Sequence, residues 1–183
     1  MGLIEEAIAF AALAHSGQHR KCTGRPYIWH PLAVGRLLEE HRFSETVIAA
    51  GVLHDTIEDT RVTLEQLESR FGLHVAMIVD GCTEPNHRAL PWEERKSHTI
   101  GALAIAGIEV RAVIAADKID NLRAIATDRD TIGEAIWERF NRDRQKQEWY
   151  YRGIASAIRQ NIAESQAIFE LLDLHVARVF GAK

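Results

Sequence analysis

The stretch from Val47 to Thr60 constrains the fold most, because it changes from wholly apolar to strongly acidic. It reads V-I-A-A-G-V-L-H-D-T-I-E-D-T. Residues four apart stack on a helix, so we expect His54 to lie over Glu58 and Asp55 over Asp59. Acids at the C-terminal end of a buried helix repel one another and the helix dipole. A divalent cation would offset that charge, whereas the alternative is a frayed and solvated helix end.

The remaining sequence predicts an all-α fold. Four prolines occur among 183 residues, β-branched alternation is nearly absent, and apolar residues recur three and four apart. The length suits one domain spanning 1–183, a compact bundle of roughly eight to ten helices.

Capping signals give approximate helix bounds. Ser44 is expected to cap the central helix, Thr63 and Gln66 to form a capping box, and Thr131 and Glu134 to form a second box. The predicted helices span roughly 4–15, 30–40, 47–60, 63–72, 74–82, 91–106, 109–126, 131–140, 143–160 and 163–180.

Charge and cysteine content exclude several classes of protein. The net charge of −4 argues against a general nucleic-acid binder. No apolar run is long enough to cross a bilayer, so a membrane partner is not expected. Cys22 and Cys82 form no C-x-x-C pair, which favours a reduced, cytoplasmic protein. Apolar residues of the last predicted helix suit either the core or a second copy, which leaves a homo-oligomer open.

Polar groups interrupt the apolar helical pattern at five places. These are Arg20 with Lys21, His30, the patch from His54 to Asp59, Lys96, and Asp117 with Asn121. Singly, each has a structural explanation: a hydrogen-bonded histidine, an aspartate paired with arginine, a solvated basic loop or a surface lysine.

The adjacent His54 and Asp55 favour a shared ion instead. His30 and Asp117 are the natural residues to complete its coordination from other helices. Two imidazoles and two carboxylates with open positions suit Mn²⁺, Fe²⁺ or Zn²⁺.

Four sequence blocks resemble the HD-type hydrolase domain of RelA/SpoT alarmone enzymes. They read H-S-G-Q-H-R-K-C-T-G-R-P-Y-I-W-H-P-L, G-V-L-H-D-T-I-E-D-T-R-V-T, F-G-L-H-V-A-M-I-V-D-G-C-T and A-D-K-I-D-N-L-R. The short length and the absence of a synthetase domain resemble the stand-alone small alarmone hydrolases. The likeness covers roughly 4–157 and leaves a C-terminal helix in 163–183.

The resemblance implies a role for each matched position. Glu58 and Asp59 match the catalytic pair that activates the attacking water. The resemblance implies one divalent ion, most often Mn²⁺, held by His30, His54, Asp55 and Asp117. It also implies substrate-binding roles for Arg20, Lys21, Lys96, Asn121 and Arg144, with Trp149 in the segment that closes the pocket.

The implied function is metal-dependent hydrolysis of the 3′-pyrophosphate of guanosine 3′,5′-bis(diphosphate). Alternatives are action on another nucleotide, such as the 2′-phosphate of NADPH, or a nucleotide sensor without turnover. Asp120, Lys118 and Cys22 depart from the residues usual in the longer family members. Asp120 adds negative charge near the expected site and leaves the nucleotide preference open.

Overall fold

The computed structural model describes residues 2–20, 24–84, 90–162 and 166–182. Within them the chain is all-α, as predicted, and His19 and Pro26 form only an isolated β-bridge. The α-helices are α1 (Leu3–Ala14), α2 (Trp29–Glu40), α3 (Glu45–Leu53), α4 (Thr56–Asp59), α5 (Leu64–Phe71), α6 (Leu73–Cys82), α7 (Trp92–Leu103), α8 (Ile108–Ile132), α9 (Arg144–Ala157) and α10 (Ala167–Phe180). A 3-10 helix covers Gly133–Arg139.

Two of the predicted caps are confirmed and one is wrong. The Ser44 side chain accepts from the Val47 amide, and Thr63 forms the expected capping box. Thr131 instead lies inside α8, where its hydroxyl donates to the Thr127 carbonyl. The helix ends beyond Ile132 because Gly133 adopts a positive φ of 64°.

The chain folds into two compact units. The first comprises Met1–Pro85 and Gly107–Asp117, and the second comprises Asn86–Ala106 and Lys118–Lys183. The predicted single domain stays a prediction. In the described residues, no helix combines the length and apolar character that crossing a membrane requires.

In the first unit, α3 is the central helix and contacts α1, α2 and α6. Every residue from Val47 to Leu53 is buried. A Cβ on Gly51 would lie 2.3 Å from Cδ1 of Leu38 on α2, so glycine is what allows this close approach. The close packing fixes the end of α3, where the acidic part of the stretch begins.

In the second unit, α9 packs against both α7 and α10. A Cβ on Gly153 of α9 would lie 2.5 Å from Cδ1 of Ile100 on α7. Aromatic rings pack together along α9, and Tyr151 contacts Phe180 at a centroid separation of 5.8 Å. These contacts form the core of the second unit.

Candidate metal centre

The predicted continuous helix through Val47 and Thr60 is wrong at one point, because the structure interrupts it at His54 and Asp55. Helix α3 ends at Leu53 and α4 begins at Thr56. The Asp55 backbone opens to a ψ of −4°, although the Asp59 amide still donates to the Asp55 carbonyl at 2.9 Å. We call this two-residue break the His54–Asp55 corner.

Side chains take over the hydrogen bonds that a continuing helix would supply. The Thr56 hydroxyl donates to the Leu53 carbonyl at 2.7 Å, and Nδ1 of His54 bonds the Gly51 carbonyl at 2.8 Å. A carbonyl only accepts, so Nδ1 must carry the proton. A neutral His54 therefore presents the lone pair of Nε2.

Nε2 of His54 is buried and has no hydrogen-bond partner among the described residues. It lies 3.1 Å from Oδ2 of Asp55, within ion-pair distance but without a hydrogen bond. Buried polar atoms are seldom left without a partner, so this nitrogen suits a ligand outside the chain.

His30 and Asp117 join the corner, as the sequence predicted. All three residues are buried: His30 is 3% exposed, His54 is 5% exposed and Asp117 is 9% exposed. Nε2 of His30 lies 3.3 Å from Oδ1 of Asp117 and 3.5 Å from Oδ2 of Asp55. One ligating atom each from His30, His54 and Asp117 lies within 4.8 Å of the others.

These spacings fit a shared cation. Two ligands held at about 2.1 Å from one ion, at angles between octahedral and tetrahedral, lie about 3.0–3.4 Å apart. The contacts among the four residues, at 3.1, 3.3 and 3.5 Å, fall close to that range. A divalent cation therefore fits the side chains of His30, His54, Asp55 and Asp117, which we call the ligand cluster.

The electrostatics of the cluster also favour a cation. Burial alone would lower the pKa of His54, but the carboxylates of Asp55 and Asp117 raise it. Burial would raise the pKa of Asp55, but His54 and His30 hold it well below its usual value. The Asp55 carboxylate therefore stays anionic in a buried position and attracts positive charge.

The two predicted catalytic acids lie on α4, directly after the corner. Oε2 of the half-buried Glu58 accepts from the Glu84 amide at 3.4 Å. Asp59 is exposed, and its carbonyl accepts from the Gln18 side chain at 2.8 Å. Their roles in proton transfer stay predictions.

The predicted substrate residues fall in different parts of the chain. Arg20 belongs to the first unit, where its amide donates to the Arg25 carbonyl at 2.9 Å. Lys21 and Cys22 lie outside the described residues. Lys96, Asn121 and Arg144 belong to the second unit.

The second-unit residues have contacts of their own. Nζ of Lys96 lies 5.0 Å from the ring centroid of Tyr150, and Nζ of Lys118 lies 5.5 Å from it. The Arg144 guanidinium donates to the Phe180 carbonyl at 3.2 Å, which ties α9 to the end of α10. Asn121 is half-buried on α8. Substrate contacts by Lys96, Asn121 and Arg144 stay predictions.

Sequence reasoning assigned no role to three side chains that contact this region. The Tyr27 hydroxyl donates to Oδ2 of Asp55 at 2.5 Å. Nδ1 of the buried His15 donates to the Gln18 side chain, which in turn holds the Asp59 carbonyl. The one signal in the sequence was spacing: Tyr27 precedes His30 by three residues, the separation of a hydrogen-bonded turn.

Comparison with known proteins gives consistent matches. A family model described as HD domain matches residues 7–141. The guanosine-3′,5′-bis(diphosphate) 3′-pyrophosphohydrolase of Danio rerio is 42% identical over 121 residues, which cover 64% of this chain and 66% of the relative. A GTP pyrophosphokinase of Myxococcus xanthus is 39% identical over 132 residues, which cover 68% of this chain and 17% of the relative.

A solved structure agrees in fold and sequence. It is that of a metazoan ortholog of SpoT that hydrolyzes ppGpp, and it matches with a TM-score of 0.79 and 25% identity over 100% of this chain and 98% of that one. The resemblance inferred from the sequence blocks is confirmed, and the chain belongs to the HD domain family.

Proposed function

We propose that this protein hydrolyses guanosine 3′,5′-bis(diphosphate) at its 3′-pyrophosphate, with a divalent ion bound by the ligand cluster. Water attacks the phosphorus attached to the ribose 3′ oxygen, and the bond between that phosphorus and oxygen breaks. The attacking oxygen leaves in pyrophosphate, the 3′ oxygen takes up a proton, and GDP is released.

The observation that carries the proposal is the buried, unsatisfied Nε2 of His54 beside three further ligand-type side chains. The names of similar proteins support this substrate, since the Danio rerio relative is named for hydrolysis of this alarmone and the solved metazoan ortholog hydrolyzes it. The chain spans 66% of the Danio rerio relative, whose name supports the proposed reaction, and 17% of the Myxococcus xanthus relative, which is named as a GTP pyrophosphokinase.

The chain's own residues would share the remaining tasks. When bound, a divalent ion supplies Lewis-acid chemistry, which lowers the pKa of water and offsets phosphate charge. Glu58 and Asp59 would accept and relay the proton of the attacking water. Charge on the polyanionic substrate would be offset by Arg20, Lys21, Lys96 and Arg144, while Asn121 would contact the nucleoside.

We propose Mn²⁺ as the ion. Nitrogen and oxygen donors without thiolate suit Mn²⁺, Fe²⁺ and Zn²⁺, and the family resemblance favours the first. A cytoplasmic location also stays a prediction.

The test is to incubate the purified protein with the alarmone and Mn²⁺, with and without a chelator, in water enriched in ¹⁸O. We expect GDP and pyrophosphate as products, with the ¹⁸O label in pyrophosphate alone. The chelator should prevent the reaction. A parallel reaction with NADPH, followed by phosphate release, tests the other nucleotide. Faster turnover of NADPH would overturn the proposed substrate, and alarmone binding without product would indicate a sensor.

A further inference from the structure

Asp55 accepts a hydrogen bond from a side chain that the proposed chemistry does not use. The Tyr27 hydroxyl donates to its Oδ2 at 2.5 Å. This distance is typical of a hydroxyl bound to a charged oxygen, a class of hydrogen bond stronger than neutral pairs.

The bonded oxygen is the one that faces both imidazoles of the ligand cluster. Oδ2 of Asp55 lies 3.1 Å from Nε2 of His54 and 3.5 Å from Nε2 of His30. A carboxylate oxygen has two lone pairs. The hydroxyl engages one of them, which leaves the other for the centre of the cluster.

The structure holds Tyr27 from several sides. Its amide donates to the Gln18 carbonyl at 2.9 Å, and its carbonyl accepts from the His30 amide at 2.9 Å. Its ring packs in a T-shaped arrangement with that of His30, with centroids 5.7 Å apart, and its centroid lies 4.9 Å from that of His15. One residue is therefore bonded through its backbone to one ligand and through its hydroxyl to another.

Asp55 needs such support because of where it lies. It occupies the His54–Asp55 corner, between α3 and α4, and its side chain makes no capping hydrogen bond to α4. Hydrogen bonds to metal-binding side chains fix their orientation, and their loss typically lowers metal affinity about 10–100-fold.

We infer that Tyr27 is a positioning residue, which orients the Asp55 carboxylate toward the ion bound by the ligand cluster. The inference rests on the proposed metal-dependent function. It concerns affinity for the ion, so it can be measured without turnover.

The experiment compares Mn²⁺ binding to chelator-treated wild type, Tyr27→Phe and Tyr151→Phe, by following the electron paramagnetic resonance signal of free Mn²⁺. Phenylalanine keeps the ring contacts with His15 and His30 and removes only the hydroxyl. We expect the Mn²⁺ dissociation constant of Tyr27→Phe to rise about 10-fold or more. Tyr151→Phe makes the same change in the second unit and should bind as wild type does.

A kinetic measurement separates positioning from substrate contact. For Tyr27→Phe, the Mn²⁺ concentration that half-activates alarmone hydrolysis should rise with the dissociation constant, while kcat at saturating Mn²⁺ recovers to within a few-fold. Circular dichroism and melting in chelator confirm that both variants are folded.

Other outcomes of these measurements would contradict either the role of Tyr27 or the proposed reaction. An unchanged Mn²⁺ dissociation constant in Tyr27→Phe overturns the positioning role, and a raised KM for the alarmone alone would make Tyr27 a substrate contact instead. Wild type that binds Mn²⁺ but leaves the alarmone intact overturns the proposed reaction only. Wild type that binds no divalent ion overturns both.

Discussion

The ligand cluster and a group of charges around Glu93 are both rich in titratable side chains, but they balance charge differently. Oε1 of Glu93 lies 2.6 Å from Nζ of Lys146 and 3.2 Å from Nε of Arg142, so one carboxylate meets two permanent cations. These three side chains are half-exposed or exposed. In the ligand cluster, two carboxylates meet two imidazoles, which are cationic only when protonated.

The difference separates a structural ion pair from a binding site. An exposed group whose cations come from the chain needs nothing further and contributes little to stability. A buried carboxylate whose partners are imidazoles lacks a positive charge beside it whenever these are neutral, so a cation from solution stabilises it. Metal-dependent effects are therefore expected from substitutions in the ligand cluster and not from substitutions in the Glu93 group.

The largest effect should follow loss of a ligand. Mn²⁺ at about 100 times its dissociation constant should stabilise wild type by about 2.7 kcal/mol, or about 5–10 °C in Tm. Asp55→Asn should abolish this shift and the hydrolysis. Asp80→Asn, which changes the same charge at an exposed position on α6, should keep both. A full thermal shift in Asp55→Asn would remove Asp55 from the ligand set.

Glu58→Gln should lower turnover while leaving Mn²⁺ binding intact. The neutral amide cannot accept the proton of water, so kcat should fall about 10²–10⁴-fold while the Mn²⁺-dependent rise in Tm is kept. Glu68→Gln, at an exposed position on α5, is the matched control for assay and melting. Near-normal kcat in Glu58→Gln would contradict its role as proton acceptor.

Lys96→Met tests the proposed role of Lys96 as a cation that binds the substrate. Loss of a charge-assisted hydrogen bond to phosphate, worth about 1.5–3 kcal/mol, should raise the alarmone KM about 10-fold or more. Lys146→Met removes a lysine whose contact is Glu93 and should leave KM unchanged. Equal KM values for both variants would assign Lys96 to structure, through its contact with Tyr150.

Two glycine substitutions compare a tightly packed helix position with an open one. Gly51→Ala forces a methyl group toward Leu38 and should lower the free energy of unfolding by about 1–3 kcal/mol. Gly101→Ala places its methyl group in open space on α7 and should raise that free energy by about 0.5–1 kcal/mol. Urea denaturation in chelator measures both changes in the free energy of unfolding, and changes of equal sign would contradict the difference in packing between these two positions.

The smallest effect concerns the Glu93 group. Hydrogen bonds from Lys146, the Glu93 backbone and Arg142 lower the pKa of Glu93 from 4.5 to about 2. A lowered carboxyl pKa adds stability above the unfolded pKa, and this contribution is lost as pH falls from 4.5 toward 2. Wild type should therefore melt slightly above Glu93→Gln at about pH 6, and the gap should close by about pH 2. A gap independent of pH would show that the charge is not its cause.

Local patterns in the sequence predicted most of the framework. The apolar run from Val47 to Leu53 is the buried helix, and the hydroxyls of Ser44 and Thr63 cap helices as expected. Such features depend on neighbours within one or two turns. The predicted box at Thr131 failed because Gly133 set the end of α8 instead.

The site was predictable only in part. Interruptions of the apolar pattern selected His30, His54 and Asp117, which the fold brings together. The break at the corner was not predictable from periodicity, because Thr56 and His54 use their own side chains to end α3. The contact of Tyr27 with Asp55 spans 28 positions and leaves no local pattern.

The bond between Nδ1 of His54 and the Gly51 carbonyl has a consequence for which residues position 54 can tolerate. One imidazole terminates the most buried helix with one nitrogen and offers the other to a ligand. Cysteine or aspartate could coordinate an ion but would leave the Gly51 carbonyl without a donor. Asparagine could supply a donor but would coordinate weakly. The two demands together restrict the position to histidine. A substitution of His54 should therefore weaken both the end of α3 and the binding of the ion.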